Sequence, residues 1–190
     1  MSERFEDAFL YAARLHARQV RKGSGIPYVS HLMSVCALVL ENGGGEDEAI
    51  AALLHDAVED QGGEPTLVEI RARFGPRVAE IVDGCTDTDQ EPKPPWRPRK
   101  EEFLVALRSA SPEVRRVVAC DKLHNARSTV RDYRLYGEAI WSRFTGRRDG
   151  TLWYYRALVG VLRSEELAPL VQELDRVVTE LEALAQGKQA

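Results

Sequence analysis

The run Ala49-Ile50-Ala51-Ala52-Leu53-Leu54-His55-Asp56-Ala57-Val58-Glu59-Asp60 sets four groups able to bind metal or carry protons at the end of an apolar stretch. Burying an imidazole and carboxylates there costs several kcal/mol unless something pairs with them. On a helix, His55 and Asp56 lie about 100° apart, near enough to reach one ion. Glu59 and Asp60 follow them by one turn, on the same side and just beyond that ion. The chemistry suggested is half of a metal site with an acid/base pair attached. Read alone, the segment also fits a hydrogen-bonded core pair at an acidic helix end. Acidic residues at a helix C-terminus oppose the macrodipole, so the arrangement is a penalised one.

Helical periodicity supplies the elements that must position these groups. Phe5, Phe9, Ala12, Ala13 and Leu15 predict a first helix, followed by the polar run Arg18 to Gly25. Pro27 to Leu40 predicts a second, stopped by Asn42-Gly43-Gly44-Gly45, and Glu46 to Glu59 a third. Pro65 to Phe74 and Arg77 to Val82 give two more, separated by Gly75-Pro76. Thr86 to Pro98 carries four prolines and reads as a loop before a helix from Arg99 to Arg108. Ser111-Pro112, an N-cap followed by proline at the first helical position, opens a long helix through about Arg131. Tyr133 to Phe144 predicts a short helix and Thr145 to Gly150 a basic loop. Thr151 to Leu184 then gives one or two helices interrupted near Ala168-Pro169. No alternating strand pattern or internal repeat is present, so the expectation is a single all-α domain over 1–185 with a tail over 186–190.

The 190 residues are 44% hydrophobic and 29% charged, enough for a core without staples. A formal net charge of −4 argues against a general nucleic-acid binder while leaving room for a local anion pocket. Cys36, Cys85 and Cys120 are widely spaced among apolar neighbours and read as buried reduced thiols. No stretch approaches the ~20 apolar residues of a membrane span. The chain reads as cytoplasmic, with no membrane, nucleic-acid or obligate protein partner.

Two further positions could complete the metal site. His31 follows Pro27-Tyr28-Val29-Ser30 at the start of the second helix. Asp121 follows the apolar Val117-Val118-Ala119-Cys120 midway along the long helix, where a buried carboxylate needs a cation or several donors. The pattern His…His-Asp…Asp on three helices resembles the HD metal-dependent phosphohydrolases, expected to be helical bundles of about eight to ten helices. The likeness extends to the alarmone-hydrolase domain of Rel/SpoT proteins and their stand-alone small relatives. It is carried by Arg21-Lys22-Gly23-Ser24-Gly25-Ile26-Pro27-Tyr28-Val29-Ser30-His31, by His55 to Asp60, and by Asp121-Lys122-Leu123-His124-Asn125-Ala126-Arg127.

That resemblance implies that His31, His55, Asp56 and Asp121 hold one divalent ion, typically Mn²⁺. Such a donor set suits a borderline-to-hard ion with open positions. Glu59 and Asp60 correspond to the family's pair that activates the attacking water. Arg21 and Lys22 match residues near the substrate, the first a fork for phosphate and the second a point charge. Tyr28 packs on a purine or anchors its helix, and Asn125 matches a nucleotide contact. Lys100, after the proline-rich loop, resembles a Lys-bearing segment of the small hydrolases. Arg147-Arg148 and Tyr154-Tyr155 fall where the family has a phosphate-binding Arg and a pocket Tyr. Either member of each pair fits, with Arg148 and Tyr154 taken as the contacts. His124 is not expected to be a ligand.

The implied activity is removal of the 3′-diphosphate from guanosine tetra- or pentaphosphate, a small-molecule substrate, releasing pyrophosphate. Two rival readings are an HD phosphohydrolase for another nucleotide (a nucleotidase, NADPH phosphatase or phosphodiesterase) and a non-catalytic alarmone-binding module. Asp87, in Gly84-Cys85-Thr86-Asp87-Thr88, stands where the family commonly has Lys, which bears on substrate identity rather than on metal chemistry.

Overall fold

A short helix whose every side chain from Ala49 to Leu54 is buried runs through the middle of the molecule. The computed structural model describes residues 1–90 and 92–187. The helices are α1 (Glu3–Leu15), α2 (Val29–Glu41), α3 (Glu46–Leu54), α4 (Ala57–Gln61), α5 (Glu64–Phe74) and α6 (Pro76–Cys85). They continue as α7 (Trp96–Ser109), α8 (Pro112–Tyr136), α9 (Arg147–Leu162) and α10 (Ala168–Ala185). A 3-10 helix, Gly137–Arg143, joins α8 to α9. No strand occurs among the described residues, and the fold is all-α. The expected tail lies mostly outside them, since residues 188–190 are not described.

Two helices organise the rest. The buried α3 is wrapped by α1, α2, α6 and α8. The long α8 packs against α2, α3, α6, α9 and α10, so a residue on its inner face reaches the molecule's centre. Its start is set locally: the Ser111 hydroxyl accepts from the Val114 amide at 3.3 Å, and Pro112 occupies the first turn, where no amide donor is needed. Burying Ile50, Leu53 and Leu54 contributes about 1.5–3 kcal/mol each, which anchors the end of α3 where the polar cluster begins.

Several expected boundaries move. The helix predicted over Glu46–Glu59 is broken: α3 ends at Leu54, Asp56 sits at φ −99°, ψ 1°, and α4 restarts at Ala57. Glu59 and Asp60 therefore lie in the first turn of a new helix rather than at the C-terminus of an old one, which removes the dipole conflict. The loop after α6 ends earlier than expected. Trp96 already begins α7 and Pro98 sits in its first turn, where proline is tolerated. The long helix runs on to Tyr136, so the segment expected as a separate helix is the end of α8 plus the 3-10 helix. The expected basic loop over 145–150 is largely the start of α9. The C-terminal break falls at 163–167, with Pro169 inside the first turn of α10.

Candidate metal centre and active site

Three elements bring the four expected ligands together. His31 comes from α2, His55 and Asp56 from the break between α3 and α4, and Asp121 from the inner face of α8. His31 Nε2 lies 3.6 Å from Asp56 Oδ2 and 3.2 Å from Asp121 Oδ1. His55 Nε2 lies 2.9 Å from Asp56 Oδ2 and 3.6 Å from Asp121 Oδ1. Both imidazoles are buried, yet neither Nε2 makes a well-directed hydrogen bond to the protein. Imidazole nitrogens this close to carboxylate oxygens, with no well-directed hydrogen bond between them, fit atoms that converge on a shared point.

The far side of each ring fixes its tautomer. His55 Nδ1 is 2.8 Å from the Ala52 carbonyl, which only accepts, so Nδ1 carries a proton and Nε2 is the nitrogen that a cation or a second proton would occupy. His31 Nδ1 is 2.8 Å from His124 Nδ1. Burial and the His31 ring push the His124 pKa down to about 4, so His124 is neutral and one proton is shared between the two Nδ1 atoms. Burial disfavours charge on His55, yet Asp56 and Asp121 raise its proton affinity well above the ordinary histidine value. Against the same burial, Lys122 and the two imidazoles hold Asp121 low, and the imidazoles hold Asp56 low. The cluster calls for positive charge. Two imidazole nitrogens and two carboxylates fit a divalent cation, which would take the place of protons there.

The cluster opens into a cavity of about 390 Å³. Asp60 and Glu59 lie on its wall and are treated differently. Asp60 is contacted by neutral groups, with Gln19 Nε2 donating to its Oδ2 at 2.7 Å. Burial, then Asp56, raises its pKa above the ordinary aspartate value. Glu59 Oε1 instead meets Lys93 Nζ at 2.9 Å and Arg99 Nη1 at 3.7 Å.

Of the expected substrate contacts, Arg21, Lys22, Tyr28, Lys100, Asn125 and Tyr154 line this cavity. Arg21 Nη2 donates to Asn125 Oδ1 at 2.6 Å, and Asn125 Nδ2 in turn donates to Asp121. The Tyr28 hydroxyl donates to Asp56, so this ring serves the metal centre as well as the pocket wall. Lys100 Nζ sits 5.0 Å over the Tyr154 ring and is bonded to Asp87. Arg148 is a correction: its guanidinium donates to the Ala185 carbonyl, which ties α9 to the end of α10 and turns it from the cavity. Arg143, from the 3-10 helix, lines the cavity instead.

The sequence profile of the HD domain family matches residues 8–152. The chain belongs to that family. Guanosine-3′,5′-bis(diphosphate) 3′-pyrophosphohydrolase MESH1 of Xenopus tropicalis is 36% identical over 66% of this chain and 69% of its own length. A guanosine-3′,5′-bis(diphosphate) 3′-pyrophosphohydrolase of Aquifex aeolicus is 32% identical over 67% of this chain, which spans only 18% of that protein. A solved structure described as a metazoan ortholog of SpoT that hydrolyzes ppGpp superposes with a TM-score of 0.79 at 27% identity. It covers 95% of this chain and 97% of that one.

The HD domain also holds site residues that sequence reasoning missed. His124 supports His31 from one turn beyond Asp121 on α8. Lys122 donates to Asp121 Oδ2 at 2.6 Å, although adjacent helical residues usually diverge. Asp87 accepts from both Arg99 and Lys100, so this departure from the family pattern is a buried ion cluster behind the cavity wall. Gly23, at φ +76°, lets Arg143 lie against the turn: a Cβ there would come within 2.5 Å of Arg143 Cδ and Nε. The signal that could have found Arg143 is that glycine. Its partner lies too far along the chain for any local pattern.

Proposed function

We propose that this HD domain is a Mn²⁺-dependent (p)ppGpp 3′-pyrophosphohydrolase. The observation that carries this reading is the convergence of His31, His55, Asp56 and Asp121, at a cavity lined by Asp60 and by the cations Arg21, Lys22 and Arg143. The activity printed for the MESH1 and Aquifex relatives supports the substrate.

A divalent ion in such a site acidifies water and offsets phosphoryl charge. The chain's own residues do the rest. Asp60, with its raised proton affinity, accepts the proton of the attacking water. Water oxygen bonds to the phosphorus attached at the 3′ oxygen, the P–O3′ bond breaks, and the proton ends on the 3′ hydroxyl. Arg21 and Lys22 bind phosphate oxygens, the first already oriented by Asn125. The Glu59 carboxylate pairs with Lys93 and with Arg99, the second of which lines the cavity and meets the anion. The test is incubation with ppGpp and Mn²⁺: pyrophosphate release is expected, and release no greater than from a His55→Ala control refutes it.

One observation favours a second reading. Asp87 neutralises part of the charge on Arg99 and Lys100, which weakens the pocket for a highly charged nucleotide. A panel of phosphorylated nucleotides, including NADPH, decides between substrates.

A further inference from the structure

Behind Asp60 lies a chain of neutral side chains that the reaction described above does not use. Gln19 Nε2 donates to Asp60 Oδ2 at 2.7 Å. Gln19 Oε1 lies 2.6 Å from His16 Nδ1 and 2.6 Å from Gln61 Nε2. His16 is 2% exposed, and its Nε2 is buried without a partner. Its ring is stacked on Tyr28, with centroids 5.4 Å apart and planes at 20°.

The orientations follow from what each atom can do. An ionised carboxylate only accepts, so the Gln19 atom facing Asp60 is the amide nitrogen. Its oxygen then faces His16 and only accepts, so His16 Nδ1 carries the proton. His16 Nε2 is left as a bare nitrogen in an enclosed place, which burial alone would not select. The tautomer is set by the demand of Gln19. Gln61 holds the same oxygen from the end of α4, so two donors stop the Gln19 amide from flipping.

We propose that Gln19 and His16 are positioning residues that fix the Asp60 carboxylate, leaving one oxygen free to face the reacting water. The inference rests on the hydrolase reading only in taking Asp60 as the base. Gln19 lies on the cavity wall with its amide turned to Asp60, and His16 stands behind it, outside the wall. A misplacement of about 1 Å at a reacting group can cost on the order of 100-fold.

Two measurements test this on the full chain. In pyrophosphate-release kinetics with ppGpp and Mn²⁺, Gln19→Met is expected to lower kcat about 10- to 100-fold, with KM and Mn²⁺ affinity within about threefold of wild type. His16→Phe keeps the ring on Tyr28 but has no donor, and is expected to lower kcat. His16→Asn keeps a donor and is expected to restore it. His16→Phe should add little in the Gln19→Met background, since both act through one bond chain. An unchanged kcat in Gln19→Met, a loss that tracks Mn²⁺ affinity, or equal losses in His16→Phe and His16→Asn overturns the proposal. The second readout needs no activity: ¹⁵N chemical shifts of His16 in metal-free protein should report the Nδ1–H tautomer, shifting toward Nε2–H in Gln19→Met. An Nε2–H tautomer in the wild type overturns the bond chain. Wild type with the Nδ1–H tautomer but no pyrophosphate release would instead refute the hydrolase reading.

Discussion

Asp56→Asn separates a metal ligand from a structural carboxylate with the least disturbance to the fold. The side chain keeps its shape, and an amide oxygen still accepts from the Tyr28 hydroxyl. The lost negative charge lies 2.9 Å from His55 Nε2, and His55 can shed its proton rather than stay buried as an unpaired cation. The metal-free midpoint should therefore move by no more than about 2–4 °C, the equivalent of 1 kcal/mol for a chain of this size. The response to metal should change far more. An ion at 100 times its Kd stabilises the native state by about 2.7 kcal/mol, or roughly 5–11 °C for this length. Outer-shell partners of a metal are worth about 10- to 100-fold in affinity, so losing a ligand costs at least about 100-fold. At the same metal concentration the variant then gains only about 0.4 kcal/mol, roughly 1–2 °C. The assay is thermal unfolding of both proteins over a Mn²⁺ titration, with Mg²⁺ and Zn²⁺ for comparison. A variant that keeps the full metal-dependent shift, or a wild type that shows none with any divalent ion, would refute the assignment of Asp56.

Arg143→Ala should raise KM for the nucleotide roughly tenfold, the worth of one charge-assisted phosphate contact, while Arg148→Ala should leave kinetics unchanged because that side chain caps α10. Gly23→Ala should reproduce the Arg143 defect by pushing its guanidinium aside, and lower stability by about 1–2 kcal/mol for a side chain at positive φ. Burial pushes the Cys36 and Cys120 thiols up to about 11 and about 12 and raises Cys85 as well, so iodoacetamide at pH 8 should label none of the three until denaturant is added. Arg176 and Arg127 draw Glu173 down to about 2, below its unfolded value. Its contribution to stability is therefore present above about pH 4.3 and is lost as pH falls toward 2. The difference in urea midpoint between wild type and Glu173→Gln should close over that range, and a difference that persists at pH 2 would refute the assignment.

The helical character and the three ligand-bearing segments were legible because they are written locally, as apolar periodicity and as histidine and aspartate at the ends or inner faces of helices. What the sequence concealed is what distant residues decide. Nothing near His55-Asp56 forbids a continuous helix, and the break at Asp56 goes with contacts to His31 and Asp121 that lie far off in the chain. Gly146 and Gly150 read as loop residues, yet they flank the start of α9, because a Cβ at Gly146 would meet the Trp96 ring at 2.7 Å. There glycine is a packing requirement rather than a helix breaker. His124 was not expected at the site because its partner His31 lies 93 positions away, and His16 gives no local signal because its partner Gln19 matters only through Asp60, once the helices are assembled.

A chain with a net charge of −4 still gathers an excess of cations around one cavity. Seven cationic side chains line the cavity against four anionic ones. Asp56 and the acid pair sit at the metal end. Arg21, Lys22, Arg131 and Arg143 also line the wall, and Asp132 pairs with Arg131 and Arg143. Within this arrangement Asp87 has a physical reason. Burial and neighbouring Lys122 lower the proton affinity of Lys100, and Asp87 works against both. A lysine at position 87 would crowd a third cation against Arg99 and Lys100 in a buried space, and the least solvated of them would give up its proton. Asp87 keeps Lys100 charged at the cost of part of its field, so the cavity wall holds a desolvated ammonium group rather than a neutral amine.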